Sequence, residues 1–470
     1  MLACEHTREA IIIDPNADVG HYTRAAGADR VKIRHVTETH IHADFLSGAV
    51  ALAETAGATL HLSGEGDKQW GYTDAALGDA SVLRDGSTIE FGRVRLKALH
   101  TPGHTPEHMT FLVFDMERGD DPVGALTGDF VFVGDVGRPD LLEKAAGAKG
   151  SMETSARQLF RSIERFAKLP DYLQIWPGHG AGSACGKSLG SMPQSTLGYE
   201  KLFNWAFAET SEGAFVERVL SDQPVPPRYF AEMKRANRDG TALHAAQGGK
   251  LLGLEELETA LAADATIVDT RTAQKFAAGH VPGTINIPLN KSFLNWSGAL
   301  VPYDRDFYIV SDRDTEDGIT AILNELCKIG LTRVRGIFAA SVVRDWKSRR
   351  GELEQVTQIS PGELARLRAA NGVQVIDVRN PDEWRQGHLP GALHVPLAAL
   401  PARLGELDAS VPIVLHCKGG GRSSIAASFL QSRGLSNVSN LAGGFEAWVA
   451  EGREVEDAES AKSRRARKKS

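Results

Sequence analysis

Two groups of residues in this chain could do chemistry. The first is spread over short segments, most of them rich in glycine or proline. THIHADF supplies His40, His42 and Asp44, TPGHT supplies His104, TGDF supplies Asp129, and PGHG supplies His179. Imidazole and carboxylate are ligands for divalent transition metals. The run around His40 is H-x-H-x-D-H without its last histidine, because Phe45 stands in that place. The second group is LHCKGGGRSS, where Cys417 is followed by Lys418, Gly419, Gly420, Gly421, Arg422 and Ser423. A glycine loop that runs into a helix turns backbone N–H groups and a helix N-terminus toward the sulfur, and the arginine adds positive charge. Together they stabilise an anion there, thiolate or persulfide. This is the chemistry of a nucleophilic cysteine that carries sulfur.

The elements that must position these residues can be read from periodicity. Through about residue 240, β-like runs such as IIID, VKIRHVTETH, TLHLSG, MTFLVF and LQIW alternate with helical stretches. The metal-type residues sit at the ends of such runs, where loops can converge on one edge of a sheet. SMETSARQLFRSIERFAKLP reads as a helix with Leu159, Ile163 and Phe166 on one face. Residues 221–250 are richer in proline, glycine and polar residues and read as a linker with a partial helix. Farther on, IVDTRTAQKFAAGHVPGTINIPL (267–289) lies over VIDVRNPDEWRQGHLPGALHVPL (375–397), matching Asp269 with Asp377 and Arg271 with Arg379. A period of about 100 residues is too long for a solenoid and indicates two tandem copies of one α/β domain. Where the second copy has LHCKGGGRSS, the first has IVSDRDTEDGIT. Cysteine and arginine are both gone, and Asp312, Asp314, Glu316 and Asp317 would repel a persulfide. The first copy is expected to be inactive, a spacer or docking surface.

Composition narrows the function classes. A chain of 470 residues suggests three domains, and 24% charged with 42% apolar residues is ordinary for a soluble globular protein. A net charge of -7 argues against nucleic acid as a partner of the body of the protein. The basic run SRRARKKS reads as a solvated, disordered tail. Four cysteines without a C-x-x-C pair argue against a disulfide framework and fit a reducing compartment. The N-terminus does not read as a signal peptide, and no apolar window is long enough to span a membrane, so a cytoplasmic protein is expected. His6, His21, His35, His61 and His100 read as packed or solvated side chains, His108 as a support for the metal site or the fold, and Cys327 as core.

On these segments the first 240 residues or so resemble the metallo-β-lactamase superfamily, an αββα sandwich. Its dinuclear hydrolases, such as glyoxalase II, use the full H-x-H-x-D-H pattern. The resemblance therefore implies that Phe45 disables the second metal position, leaving His42, Asp44 and His179 as its remnant. Persulfide dioxygenases of the superfamily bind one iron through residues matching His40, His104 and Asp129, the two-histidine, one-carboxylate set suited to non-haem Fe(II). They share the G-R-x-D segment found here in DVGRPDLL, which implies that Arg138 holds a substrate carboxylate. Cys185, in GHGAGSACGKSLG, could hold a persulfide near the iron or be a buried thiol. The last repeat is similar to rhodanese, with C-x-x-G-x-R-S, VIDVR and GGFEAW; there the Asp377–Arg379 pair is structural.

As a whole the chain resembles bacterial persulfide dioxygenase–rhodanese fusions. That resemblance implies an α/β multidomain chain with an αββα metallo-β-lactamase domain over 1–240 and a linker to about 250. An inactive rhodanese follows over 251–352, an active one over 357–455, and the tail over 456–470. It further implies one Fe(II) per chain. The expected partners are a small-molecule thiol persulfide, O2, sulfite and thiosulfate, with no nucleic acid and no membrane, in a homo-oligomer (dimer or tetramer). Two rival readings remain: a glyoxalase II-like thioester hydrolase with a sulfurtransferase domain, and a sulfur carrier that oxidises nothing. The identity of the thiol, the direction of sulfur transfer and the role of Cys185 stay open.

Overall fold

The structure, a computed structural model, describes residues 1–66, 70–146, 150–180, 191–221, 223, 225–240, 249–370 and 372–456. Cys185 and the basic tail lie outside the described residues. Two compact units divide the chain near residue 245.

The first unit contains two sheets. One has the order β1 (Leu2–Ala3), β2 (Glu9–Ile13), β3 (Lys32–Thr37), β4 (Thr59–Ser63) and β5 (Ser81–Leu83), parallel from β2 to β5. The other is built from β6 (Thr88–Phe91), β7 (Val94–His100), β8 (Met109–Asp115), β9 (Pro122–Gly128), β10 (Gln174–Pro177) and β11 (Ser195–Thr196), in order β11-β10-β9-β8-β7-β6. Three apolar layers hold these sheets in an αββα stack. Ile12, Ile33 and Val36 pack on Ala49, Leu52 and Ala53 of the Ala49–Ala56 helix. Ile11, Leu83, Leu96, Phe111 and Val113 fill the space between the sheets. Leu112, Phe114 and Ala125 pack on Leu159, Ile163 and Phe166 of the Met152–Phe166 helix. Strand β8 explains its own unbroken apolar run. Its alternate residues face two different cores, so both of its faces are buried.

The second unit holds the two repeats. The first has strands β12 (Leu251–Leu252), β13 (Thr266–Asp269), β14 (Ile285–Asn286), β15 (Phe307–Ser311) and β16 (Val334–Ala339), in order β12-β16-β15-β13-β14. The second has β17 (Thr357–Ile359), β18 (Gln374–Asp377), β19 (Leu393–His394), β20 (Ile413–His416) and β21 (Val438–Leu441), in the matching order β17-β21-β20-β18-β19. Both sheets are parallel throughout. In each copy a buried aspartate at the end of β13 or β18 takes the guanidinium two residues on, Arg271 Nη2 at 2.6 Å from Asp269 and Arg379 Nη2 at 2.5 Å from Asp377. The same nitrogens donate to the carbonyls of Gly279 and Gly387, so the pair ties the strand to the turn before the next one. This is the structural role expected of it.

The partial helix expected in residues 221–250 is Phe230–Arg238, which belongs to the first unit, with Phe230, Met233, Lys234 and Asn237 buried. Among the described residues no helix is long and apolar enough to cross a membrane.

Candidate functional site

Loops that follow β3, β7 and β9 bring His40, His104 and Asp129 together. All three are buried, and one ligand atom from each lies within 4.8 Å of the other two. The Nε2 atoms of His40 and His104 lie 3.9 and 3.6 Å from Asp129 Oδ2. Their Nδ1 atoms face away and are engaged. His104 Nδ1 donates to the carbonyl of Arg138 at 3.1 Å. His40 Nδ1 lies 2.9 Å from the Thr39 hydroxyl, which itself donates to Asp14 Oδ2 at 3.0 Å. Each chain of bonds fixes the tautomer that leaves Nε2 with a free lone pair. Burial holds both imidazoles below their ordinary pKa, so both are neutral and ready to coordinate. Both oxygens of Asp129 are buried without a hydrogen-bond partner. A buried carboxylate without hydrogen bonds is costly, and a divalent cation beside Oδ2, between these three groups, would lower that cost. Gly137 makes room behind the carboxylate, since a Cβ there would lie 1.7 Å from the Asp129 carbonyl oxygen.

The remnant second position keeps His42, Asp44 and His179, with Phe45 in place of a histidine. His42 Nε2 lies 3.1 Å from Asp14, and the Phe45 ring stacks on His42 with centroids 4.2 Å apart. His179 Nε2 lies 3.2 Å from Asp44 and 3.4 Å from Asp129. Burial alone would depress both histidines, but the facing carboxylates outweigh it, raising His42 to about 9 and His179 to about 10.

Arg138 adjoins the centre through its backbone. Its guanidinium is fully buried and donates through Nε and Nη2 to Asp140 at 3.1 and 2.9 Å, while its backbone carbonyl orients His104. His108 is a supporting residue: it stacks on His40 and pairs with Thr101. His6 and His21 are exposed, His35 pairs with His61 at 3.0 Å, and His100 meets the Pro106 carbonyl; none joins the metal group.

Sequence reading missed Glu107, Lys234 and Asn237. Glu107 accepts from the backbone N–H of Ile41, and Lys234 donates to the Ile41 carbonyl. Asn237 donates to the carbonyls of His42 and Phe45 and accepts from Ser47 N. The metal loop is thus clamped from both sides. Beside His104 a small niche is lined by Ile41, Ala43, Thr105, Leu141, Leu142 and Lys234, largely apolar with one ammonium.

In the last repeat, Cys417 follows β20 and is buried. Its Sγ accepts from Gly420 N at 3.1 Å and from the Ser423 hydroxyl at 3.4 Å, at the start of the Gly421–Ser432 helix. The loop's carbonyls are tied off elsewhere: Phe445 N donates to the Cys417 carbonyl and Glu446 N to that of Lys418. Gly444 permits this approach, because its φ is +59° and a Cβ would lie 2.4 Å from the Cys417 carbonyl oxygen. Lys418 is exposed, and Arg422 is bound to Glu383. In the first repeat, strand registers put Ser311 where Cys417 stands, and Asp312, Asp314, Glu316 and Asp317 are exposed.

Comparison with known proteins agrees with both halves. The profile of the metallo-beta-lactamase superfamily matches residues 2–179, and that of the rhodanese-like domain matches 253–336 and 360–451. A solved structure described as a metallo-beta-lactamase from Staphylococcus aureus subsp. aureus COL is 40% identical, with a TM-score of 0.63, and the match covers 72% of this chain and 94% of that one. A thiosulfate sulfurtransferase of Ectopseudomonas mendocina is 35% identical over 98 residues, 21% of this chain and 89% of the relative. A probable metallo-hydrolase of Burkholderia pseudomallei is 31% identical over 179 residues; this match takes in 33% of the chain and spans only 58% of that relative's length. The metal ligands sit in the first of these regions and the sulfur loop in the last, so the chain belongs to the metallo-beta-lactamase superfamily and carries two rhodanese-like domains in tandem.

Proposed function

We propose that the chain oxidises a low-molecular-weight thiol persulfide with O2 at a single ferrous ion and passes sulfane sulfur through Cys417 to sulfite, giving thiosulfate. The observation that carries the reading is the asymmetry of the metal centre. Two histidine nitrogens and one carboxylate converge within 4.8 Å of one another, while at the second position Phe45 stands in place of a histidine and stacks on His42. That set suits one iron with open positions better than a hydrolytic metal pair. Held by His40, His104 and Asp129, iron would activate O2 and seat the terminal sulfur of the persulfide. The chain's own residues do the rest. Thr39, Asp14 and the Arg138 carbonyl keep both imidazoles in the ligating tautomer. The apolar side of the niche, Ile41, Ala43, Leu141 and Leu142, would keep water from the metal position beside His104, and Lys234, tied to the Ile41 carbonyl and to Glu107, holds the loop there. Overall a persulfide, O2 and water give thiol, sulfite and two protons. At the second site sulfite attacks the outer sulfur of the Cys417 persulfide, the S–S bond breaks, and Cys417 leaves as thiolate.

The test is O2 uptake by the Fe(II)-loaded chain given glutathione persulfide, with sulfite and thiosulfate assayed, beside a Cys417→Ser variant. The expected result is uptake by both proteins, with thiosulfate from the parent and sulfite from the variant. Absence of uptake with iron bound would overturn the dioxygenase reading, and thioester cleavage in its place would favour a hydrolase.

A further inference from the structure

The sequence suggests that Arg422 attracts an incoming anion such as sulfite. The structure shows that guanidinium already engaged. Its Nη1 donates to Glu383 Oε2 and its Nη2 to Glu383 Oε1, each at 2.6 Å. Both side chains are largely sheltered, 19% and 26% exposed, so water and salt screen the pair less than one at the open surface. Glu383 is itself fixed, because Oε2 also accepts from Asn380 N at the start of the Pro381–Gln386 helix. Farther out, Lys418 Nζ lies 3.7 Å from Glu446. Each cation of the sulfur loop therefore has a carboxylate against it, and the mouth of the site is charge-compensated.

The first repeat separates two roles of such a pair. Lys275 follows Asp269 by the same interval as Glu383 follows Asp377. It donates to Asp312, on the loop after β15, at 2.8 Å. An ion pair thus bridges the corresponding helix and loop in both copies, with the signs exchanged. Bridging occurs even where there is no cysteine to serve, so bracing is a feature of the fold. What distinguishes the active copy is that the cation of the bridge stands on the loop side, with its charge cancelled by the carboxylate facing it.

We propose that Glu383 sets the donor selectivity of Cys417: by cancelling the charge of Arg422 it disfavours dianions such as thiosulfate relative to singly charged persulfides of uncharged thiols. The proposal rests on the reading of Cys417 as the sulfur-carrying nucleophile. With either donor the Cys417 thiolate attacks the outer sulfur and the donor's S–S bond breaks. The electron pair leaves with sulfite or with the parent thiolate, and Cys417 keeps the sulfur as a persulfide anion, so no oxidant is needed. Coulomb energy scales with the product of the charges, so an uncompensated Arg422 rewards a dianion about twice as much as a monoanion. Glu383 acts through Arg422 and is a positioning residue.

The test is steady-state sulfur transfer to cyanide by the full chain and by Glu383→Gln, with thiosulfate or 2-mercaptoethanol persulfide as donor, at several ionic strengths. In the parent, the thiosulfate KM is expected to change by less than about twofold between about 0.05 and 0.5 M salt. In the variant, it is expected to fall about fivefold at low salt and to rise steeply with salt, with kcat and the KM for the persulfide changing by less than about threefold. A thiosulfate KM that is unchanged or higher in the variant, or a parallel loss of kcat with both donors, overturns the proposal and leaves Glu383 as a brace only. Should the variant fail to fold, the parent decides alone: a thiosulfate KM that climbs severalfold with salt is the overturning result. A parent that transfers sulfur from neither donor defeats the reading of Cys417 and this proposal with it.

Discussion

His40 presents Nε2 to the metal position only while its Nδ1 proton has somewhere to go. That proton goes to Thr39, and the proton of Thr39 goes to Asp14, whose backbone is in the left-handed region at φ +52°. Replacing Thr39 by Val keeps the shape and breaks the relay. Fe(II) affinity is expected to fall about tenfold in competition with a chelator, with little change in the melting of the metal-free protein; full affinity in the variant would show that the relay is idle. The ligands themselves were legible in the sequence because each lies in a short segment whose residue types leave few other uses for it. The relay was not, since Asp14 reaches Thr39 from a neighbouring strand 25 positions away. The pairing of Arg138 with Asp140, two residues on in the same GRPD segment, was not read from the sequence; a buried guanidinium takes a carboxylate within reach.

Elements with clear apolar periodicity were legible, and the exceptions have a physical cause. The Phe230–Arg238 helix was legible only as a partial helix beside a linker because part of its inward face is polar: Lys234 and Asn237 are buried to bind backbone groups of the metal loop. Period analysis weighs apolar residues and does not detect such a face. The Gly421–Ser432 helix is the opposite case, buried along most of its length from Ser423 to Leu430. Part of what covers it is the first repeat, where Asn286 N on β14 donates to the Ser428 hydroxyl at 2.9 Å. Ser428→Ala would strand that buried N–H. The expected cost is about 1–3 kcal/mol in urea unfolding of the second unit, with a lower kcat for sulfur transfer because the helix that carries the cysteine loop is less firmly seated. Unchanged stability would mean that another acceptor replaces the hydroxyl.

The two compact units have their own cores, three apolar layers in the first and a separate core in each repeat of the second. The chain is therefore expected to unfold in two calorimetric transitions. Metal binds only the folded first unit, so chelation should lower one transition by about 5–10 °C when the ion had been present at about a hundred times its Kd, and leave the other in place. A single transition that moves as a whole would show that the units unfold together. The division was legible from the repeat alone, since matched segments such as VIDVR and IVDTR announce two copies of one domain. The sign of the ion pair at each loop was equally open to reading, but its meaning needed the distance between Glu383 and Arg422.

That exchange of signs also bears on the history of the first repeat. Ser311 occupies the place of the nucleophile, so one substitution would restore a thiol. The thiol would then sit on a loop of carboxylates, with Lys275 already committed to Asp312. A working pocket would require several coordinated replacements, none useful without the others. A single Ser311→Cys change is therefore expected to give a thiol without sulfur transfer. What selection can still act on is the strand on which the active partner's helix rests.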